Sequence, residues 1–251
     1  MQYTRYRARG FYSNYFPPGV KWLLISNCAV FVLQQLVVGL FRYDPIDQFG
    51  LVPLLVRDYG CVWQLFTYMF LHGGIWHLVI NMLMLWMFGV DLERDWGTRR
   101  FLKYYFLCGV GAAMCVVLVA FGLASARPAN LIQPTIGASG AIFGLLLAFG
   151  VVYSDRIILM MLLFPMKAKY AVMLFGVIEL YYVWQPSRGV SNVAHLGGML
   201  FGYLFLKVRF KPSNPLGALR NQYRNWRMER ARRRFQVYLR KRGPGNDHWV
   251  N

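Results

Sequence analysis

Six apolar runs, separated by polar and charged segments, set the outline of the chain. The first, Lys21–Phe41, has about the length needed to cross a bilayer. It is too long for a signal-peptide core and no small-residue cleavage site follows, so it reads as an uncleaved first span. The second, Trp76–Asp91, is interrupted only by His77 and Asn81. The third is Phe101–Leu123. The fourth, Ser139–Tyr153, is short. The fifth, Tyr170–Trp184, carries one acid, Glu179, and the sixth is Val190–Val208. Each run predicts a helix. Residues 42–75 contain Pro45, Pro53, three aspartates and several aromatics. That connection is too long for a structureless loop and predicts short helices at the membrane surface. A charged turn, Asp91–Asp95 ending in Gly97, is expected between the second and third runs. Residues 154–170 place Asp155, Arg156, Lys167 and Lys169 around an apolar patch expected at the interface. The expected fold is an all-α membrane protein with six transmembrane helices and a short central fourth helix. Residues 1–20 form a cytoplasmic N-terminal segment, 21–208 the membrane domain and 209–251 a basic cytoplasmic tail.

Composition agrees with that outline. The chain is 57% hydrophobic over 251 residues, and its mean hydropathy is +0.36. A soluble domain does not carry such long apolar runs. The net charge of +18 could signal nucleic acid, but basic DNA-binding domains are not built of apolar runs, so no nucleic-acid partner is expected. The distribution of charge supplies another explanation. With the N-terminus inside, inward segments hold 24 Lys and Arg, and outward loops hold only Arg42, Arg57, Arg127 and Arg188. The positive-inside rule expects this asymmetry. Two basic ends on one side require an even number of spans. Cys28, Cys108 and Cys115 lie in apolar runs and read as buried, inert thiols. Cys61 has no loop partner, so no disulfide framework is expected. The tail from Leu216 to Arg242 interleaves Arg with Trp226, Phe235, Tyr238 and Leu239. It is either a solvated topology anchor or a helix lying on anionic lipid.

The topology gives the polar residues a meaning. Runs two, four and six all enter from the outer face, so His77, Ser139 and His195 share one depth. Polar side chains inside membrane helices are costly and default to functional readings. A 15-residue fourth helix spans roughly 22 Å at 1.5 Å per residue, less than the hydrocarbon core of about 30 Å. Ser139 then lies below the outer surface, at a helix N-terminus whose free N–H groups favour negative charge. Non-helical backbone at that depth requires a wet or protein-lined cavity. Ser139 sits in Gly137-Ala138-Ser139-Gly140, and its candidate base is His195. Gly198 and Gly202 form a small-residue pair that allows a close helix neighbour. If that neighbour is the fourth helix, with Gly140 and Gly144 facing it, His195 reaches Ser139. Phe143, one turn below, can support the imidazole. His77 and Asn81, at i and i+4, share a face and can donate to an oxyanion. No acid stands near His195 in the sequence, so a Ser–His dyad is expected rather than a triad.

The bland readings are that the GxSG is packing and that a membrane histidine binds a partner helix. Zinc would need three or four converging ligands, and no such set is apparent. Glu179 could be a transporter's relay carboxylate, but it stands alone among the apolar runs.

Together these residues resemble the rhomboid family of intramembrane serine proteases, over roughly residues 20–208. Gly137–Gly140 is similar to the family's nucleophile motif. Ala194-His195-x-x-Gly198-x-x-x-Gly202 is similar to its base segment. His77-x-x-x-Asn81 is similar to its oxyanion pair, with the Ser139 backbone N–H as third donor. Glu93 falls where the family has an acid after its second span. One departure stands out: the family commonly has Trp-Arg in the long first loop, and here it reads Trp63-Gln64. The resemblance implies a serine endopeptidase that cleaves transmembrane segments of membrane proteins near their outer ends, without metal or cofactor. The fifth span and the loop at Gln185–Gly189 would form gate and cap. The expected location is a bacterial plasma membrane with both termini cytoplasmic. The competing class is a catalytically inactive relative that binds membrane clients as an adaptor.

Overall fold

The computed structural model describes residues 16–160, 164–183, 185, 189–210 and 230. Helix α1 (Pro18–Phe41) opens with a proline, whose missing N–H costs nothing at a helix start. It buries Val20, Leu23, Asn27, Phe31 and Gln34, spaced three or four apart and hence on one stripe. Trp22, Ile25, Leu33, Leu36 and Leu40 face outward. Polar groups inside and bare aliphatics outside suit a hydrocarbon surround, not water. Most of these buried polar groups are paired: Asn27 Nδ2 donates to the Leu23 carbonyl at 2.7 Å, and Gln34 Nε2 to the His72 carbonyl at 3.1 Å, while Asn27 Oδ1 is buried without a partner.

Helix α5 (Ile75–Trp96) and helix α6 (Thr98–Gly122) are joined by Gly97 alone. The expected charged turn at Asp91–Asp95 is therefore helical, and the turn is confined to Gly97. The reason lies in Glu93, which is buried inside α5 and points at the start of α1. Its carboxylate accepts the backbone N–H of Gly19 and of Val20, both at 2.7 Å, and the hydroxyl of Thr98 at 2.7 Å. An anion at the N-terminus of α1 satisfies otherwise orphaned donors and complements the helix dipole. Helices α1, α5 and α6 are each long and apolar enough to cross a membrane.

Between α1 and α5 lie three short helices, α2 (Ile46–Phe49), α3 (Pro53–Asp58) and α4 (Gln64–Thr67), followed by a 3₁₀ turn at Tyr68–Phe70. Gln64 is buried at the centre of this segment. Its Oε1 accepts the Val52 N–H at 3.0 Å and its Nε2 donates to the Gln48 carbonyl at 3.1 Å. Trp63 Nε1 donates to the same carbonyl at 3.1 Å. The glutamine thus staples the loop where the related motif has arginine.

Helix α7 (Ser139–Val152) is apolar all round and is enclosed almost all round, as that pattern requires. It contacts α5, α6 and helix α8 (Ala168–Val183). Before α8 the chain forms an antiparallel hairpin of β1 (Ile157–Met160) and β2 (Phe164–Lys167), with Ile158 opposite Met166. The fold is otherwise helical, and this strand pair was not expected within the interfacial segment. The paired isoleucines favour an extended strand, and Pro165 opposes a helix while fitting an edge strand. Arg156 at the hairpin's base pairs with Asp91 at the end of α5 at 2.5 Å.

Helix α9 (Gly189–Phe210) completes the described structure. The described residues up to Phe205 form one compact unit, and Leu206 opens a second. Most of the N-terminal segment, Arg188 and the interleaved tail Leu216–Arg242 lie outside the described residues apart from Arg230. All four cysteines are free, but Cys28 is exposed on α1 rather than buried as expected. In a membrane helix an outward-facing residue is indistinguishable from a core residue by hydropathy.

Candidate active site

The turn into α7 requires glycine. Gly137 has φ of +116°, a left-handed conformation that a side chain strains. A Cβ there would also lie 2.9 Å from Cε1 and Nε2 of His77. The Gly137 N–H is held by the Tyr68 carbonyl at 2.9 Å. This turn ends at Ser139, the first residue of α7. Backbone N–H groups of a first helical turn have no intrahelical acceptor and aim their positive ends outward.

Ser139 Oγ lies 2.8 Å from Nε2 of His195 on α9. The imidazole stacks on Phe143, one turn below Ser139, with centroids 4.1 Å apart and planes 6° from parallel. Phe175 of α8 packs edge-on against Phe143 at 6.0 Å. The approach of α7 and α9 is made by glycines. A Cβ on Gly198 would lie 1.8 Å from the Gly140 carbonyl oxygen, so the two backbones are in direct contact. One turn further, Gly144 faces the Gly198 carbonyl and Cys108. At Gly202 the nearest neighbour belongs to α6. A Cβ there would meet the hydroxyl of Tyr104 on α6, which itself donates to the Gly144 carbonyl at 2.7 Å. The small-residue pair of α9 therefore serves two neighbours.

His77 lies against the Gly137 turn, half-buried, and its Nδ1 accepts the Gly73 N–H at 3.3 Å. Asn81 is buried one turn further along α5, but its Nδ2 donates to the His77 carbonyl at 2.8 Å. To serve an oxyanion it would have to turn away from that carbonyl. His72, in the connection ahead of α5, sits edge-on to His77 at 5.1 Å. Burial, aided by the neighbouring His77, pushes the His72 imidazole down to about 4, against the opposing pull of the Phe70 carbonyl. It is a neutral ring at physiological pH, with its Nε2 buried and unpartnered.

Behind His195 stands a carboxylate. Glu179 on α8 is buried, and its Oε2 lies 2.9 Å from Nδ1 of His195. The contact has ion-pair distance but not hydrogen-bond alignment, because the ring N–H is not directed at the oxygen. The same oxygen accepts the side-chain amide of Asn192, one turn before His195 on α9.

A serine, an imidazole in hydrogen-bond reach, a helix N-terminus beside them and a carboxylate behind them can perform acyl transfer. Residues 59–212 match the family model of the rhomboid domain. The chain belongs to the rhomboid family. It is a multi-pass membrane protein. It is 34% identical to RHOMBOID-like protein 4 of Arabidopsis thaliana over 228 residues, 79% of this chain and 54% of that one. It is 26% identical to RHOMBOID-like protein 1 of the same plant, over 89% of this chain and 61% of that one. It is 31% identical to the rhomboid protease GluP of Bacillus subtilis, over 74% of this chain and 34% of that one. The chain thus spans about a third to three fifths of the length of these three relatives.

In this rhomboid the expectation that no acid approaches His195 is corrected by Glu179. The two residues are 16 positions apart on different helices, and no spacing rule links them. The signal was present: Glu179 is the acid of an otherwise apolar run, and such residues are seldom idle. Tyr68 and Tyr104 were also missed. Tyr68 holds the Gly137 turn through its carbonyl and α6 through its hydroxyl, which donates to the Gly109 carbonyl at 2.7 Å. Two tyrosines among many aromatics carried no sequence signal.

Proposed function

We propose that this rhomboid is an intramembrane serine endopeptidase that cleaves transmembrane segments of membrane proteins near one membrane face. The observation that carries the reading is the 2.8 Å approach of Ser139 Oγ to His195 Nε2 at the N-terminus of an enclosed helix. In the proposed reaction, Ser139 Oγ attacks the scissile carbonyl carbon and passes its proton to Nε2. The carbonyl π pair moves onto oxygen. The Ser139 N–H, His77 and Asn81 are the proposed donors to that oxyanion. As the intermediate collapses, the C–N bond breaks and Nε2 returns the proton to the leaving nitrogen. Water then attacks the acyl-enzyme by the same route. Phe143 keeps the imidazole plane fixed throughout, and no metal or cofactor takes part in a step. Positioning of a bound carbonyl can contribute about 7–11 kcal/mol to such a reaction.

The proposal includes six membrane spans, α1, α5, α6, α7, α8 and α9, with both termini on the cytoplasmic side. Helix α7 has 14 residues and spans about 21 Å at 1.5 Å per residue, so Ser139 lies below one membrane surface. The charge asymmetry supports that orientation. The membrane domain extends over 21–208, flanked by cytoplasmic segments.

The test is labelling with a serine-reactive fluorophosphonate, joined to cleavage of a panel of membrane-anchored model substrates. Wild type should be labelled at Ser139 and should cleave. Ser139→Ala and His195→Ala should insert and fold but do neither. Cleavage retained by purified Ser139→Ala would overturn the reading, and a folded wild type that neither labels nor cleaves would favour the client-binding adaptor.

A further inference from the structure

The geometry points to Glu179 as the positioning residue of the base: its carboxylate, held by Asn192, orients His195 and stabilises the imidazolium formed when Ser139 gives up its proton. The inference rests on the proposed serine chemistry and adds a third group to it.

The chain of contacts is continuous. Ser139 Oγ reaches Nε2 of His195 at 2.8 Å, and Nδ1 of the same ring reaches Oε2 of Glu179 at 2.9 Å. The asparagine at position 192 donates to that same oxygen from the preceding turn of α9. Serine, imidazole and carboxylate therefore stand in succession, contributed by α7, α9 and α8. Both partners of the carboxylate–imidazole contact are substantially buried: the Glu179 side chain is 10% exposed and that of His195 18%. At such a site an isolated carboxylate is expensive, and it persists ionised only if partners supply compensating charge or hydrogen bonds. Glu179 has the Asn192 amide at all times and gains a cation when the ring is protonated.

Ring geometry fixes what the carboxylate can do. For Nε2 to accept from the serine hydroxyl, the neutral ring must carry its proton on Nδ1. An acceptor beside Nδ1 favours that tautomer. The N–H is not aligned on the oxygen in the resting structure. Catalytic hydrogen bonds are often loose before substrate binds and tighten in the reacting complex. In the step itself the proton travels from Oγ to Nε2, and the Nδ1 proton stays on the ring. Glu179 takes no proton. Its contribution is the attraction between carboxylate and imidazolium, which exists only once the proton has moved. Such an interaction raises kcat rather than binding.

Among the described residues, few ionisable groups surround the ring. His195 is faced by Ser139 from α7, by Glu179 from α8, and at longer range by His77 from α5. Asn192 is the polar neighbour on its own helix. Removing the carboxylate charge should therefore act chiefly on the base.

The experiment compares wild type, Glu179→Gln and Glu179→Asp in detergent or liposomes. It measures kcat, KM and thermal stability. Glutamine preserves shape and can still accept from Asn192, so it separates charge from packing. Loss of a triad acid costs as much as about 10⁴-fold in soluble enzymes. Here, with a stacked ring already held by Phe143, a fall in kcat of about 10–10³-fold is expected for Glu179→Gln, with KM changed little. Glu179→Asp keeps the charge one methylene short and should lie between the two in kcat. A merely structural glutamate would lower thermal stability and leave kcat and KM of the folded variant at their wild-type values. A folded Glu179→Gln with wild-type kcat overturns the inference and leaves the Ser139–His195 reading intact. Should Glu179→Gln not fold, full kcat in Glu179→Asp overturns it instead.

Discussion

Replacing Gly198 by alanine, the smallest possible change, should disable the site without touching a reacting atom. A Cβ at this position would stand 1.8 Å from the carbonyl oxygen of Gly140, and 2.8 Å from its carbonyl carbon. Real Cβ atoms essentially never come closer than 3.0 Å to a heavy atom, so α9 and α7 must part by about 1.2 Å at the least. The obstacle is backbone, which cannot rotate aside as a side chain can. His195 is one turn from Gly198 on α9, and Ser139 adjoins Gly140 on α7. The separation therefore acts directly on the 2.8 Å contact between them, and carries it beyond hydrogen-bond reach. A misplacement of about 1 Å in a catalytic group can cost about 10²-fold. The loss expected for Gly198→Ala is accordingly about 10²-fold in kcat/KM, and greater for Gly198→Val. From sequence alone the alanine variant would be expected to be mild. The carbonyl directly opposite changes that expectation. Gly39→Ala on α1 is the control, since nothing lies within 4 Å of a Cβ there. The assay is cleavage of a transmembrane model substrate, with thermal unfolding to confirm the fold and fluorophosphonate labelling to report on Ser139. A folded Gly198→Ala protein that cleaves at the wild-type rate would refute this contact and the helix arrangement built on it.

The oxyanion assignment predicts graded losses, since removal of one such donor typically costs about 10²–10³-fold in kcat. His77→Ala and Asn81→Ala should each cleave more slowly than wild type and faster than Ser139→Ala, measured as initial rates at saturating substrate; a double variant as fast as wild type would exclude both residues. His72 predicts a pH-dependent stability. Its folded value of about 4 lies below the ordinary 6.5, so as pH falls the unfolded chain takes up a proton that the folded protein refuses. Stability should thus be lost progressively from about pH 6.5 down to about 4, by at most about 3–4 kcal/mol at about 1.4 kcal/mol per unit. Thermal midpoints in detergent at pH 7 and pH 5 should converge less for wild type than for His72→Gln; equal slopes would show that this ring does not set the acid sensitivity.

What the sequence determined by itself was the material and the places of the helices. Long apolar runs have few structural solutions in lipid, because every backbone N–H and C=O must be paired within its own segment. Each run is accordingly helical, within a few residues of the expected ends. The GxSG turn and the histidine of α9 were legible as chemistry because reactive polar residues are rare in such runs. The exposed hydropathy pattern could say little about which face of each helix meets which neighbour. Lipid tails are as apolar as a protein core, so a stripe turned inward and a stripe turned outward look alike. That is why Cys28 was misplaced, and why the approach of Gly202 to Tyr104 was not foreseen. Helix rotation was decided instead by close packing: Gly198 on the Gly140 carbonyl, and Gly202 under Tyr104. The same rotation brought Glu179 to His195 from another helix, a juxtaposition with no signature in either run. The hairpin at Ile157–Lys167 and the loop staple at Gln64 likewise depended on partners distant in the chain. In a membrane, composition fixes that helices form, and only the fit of one surface to another fixes how they face.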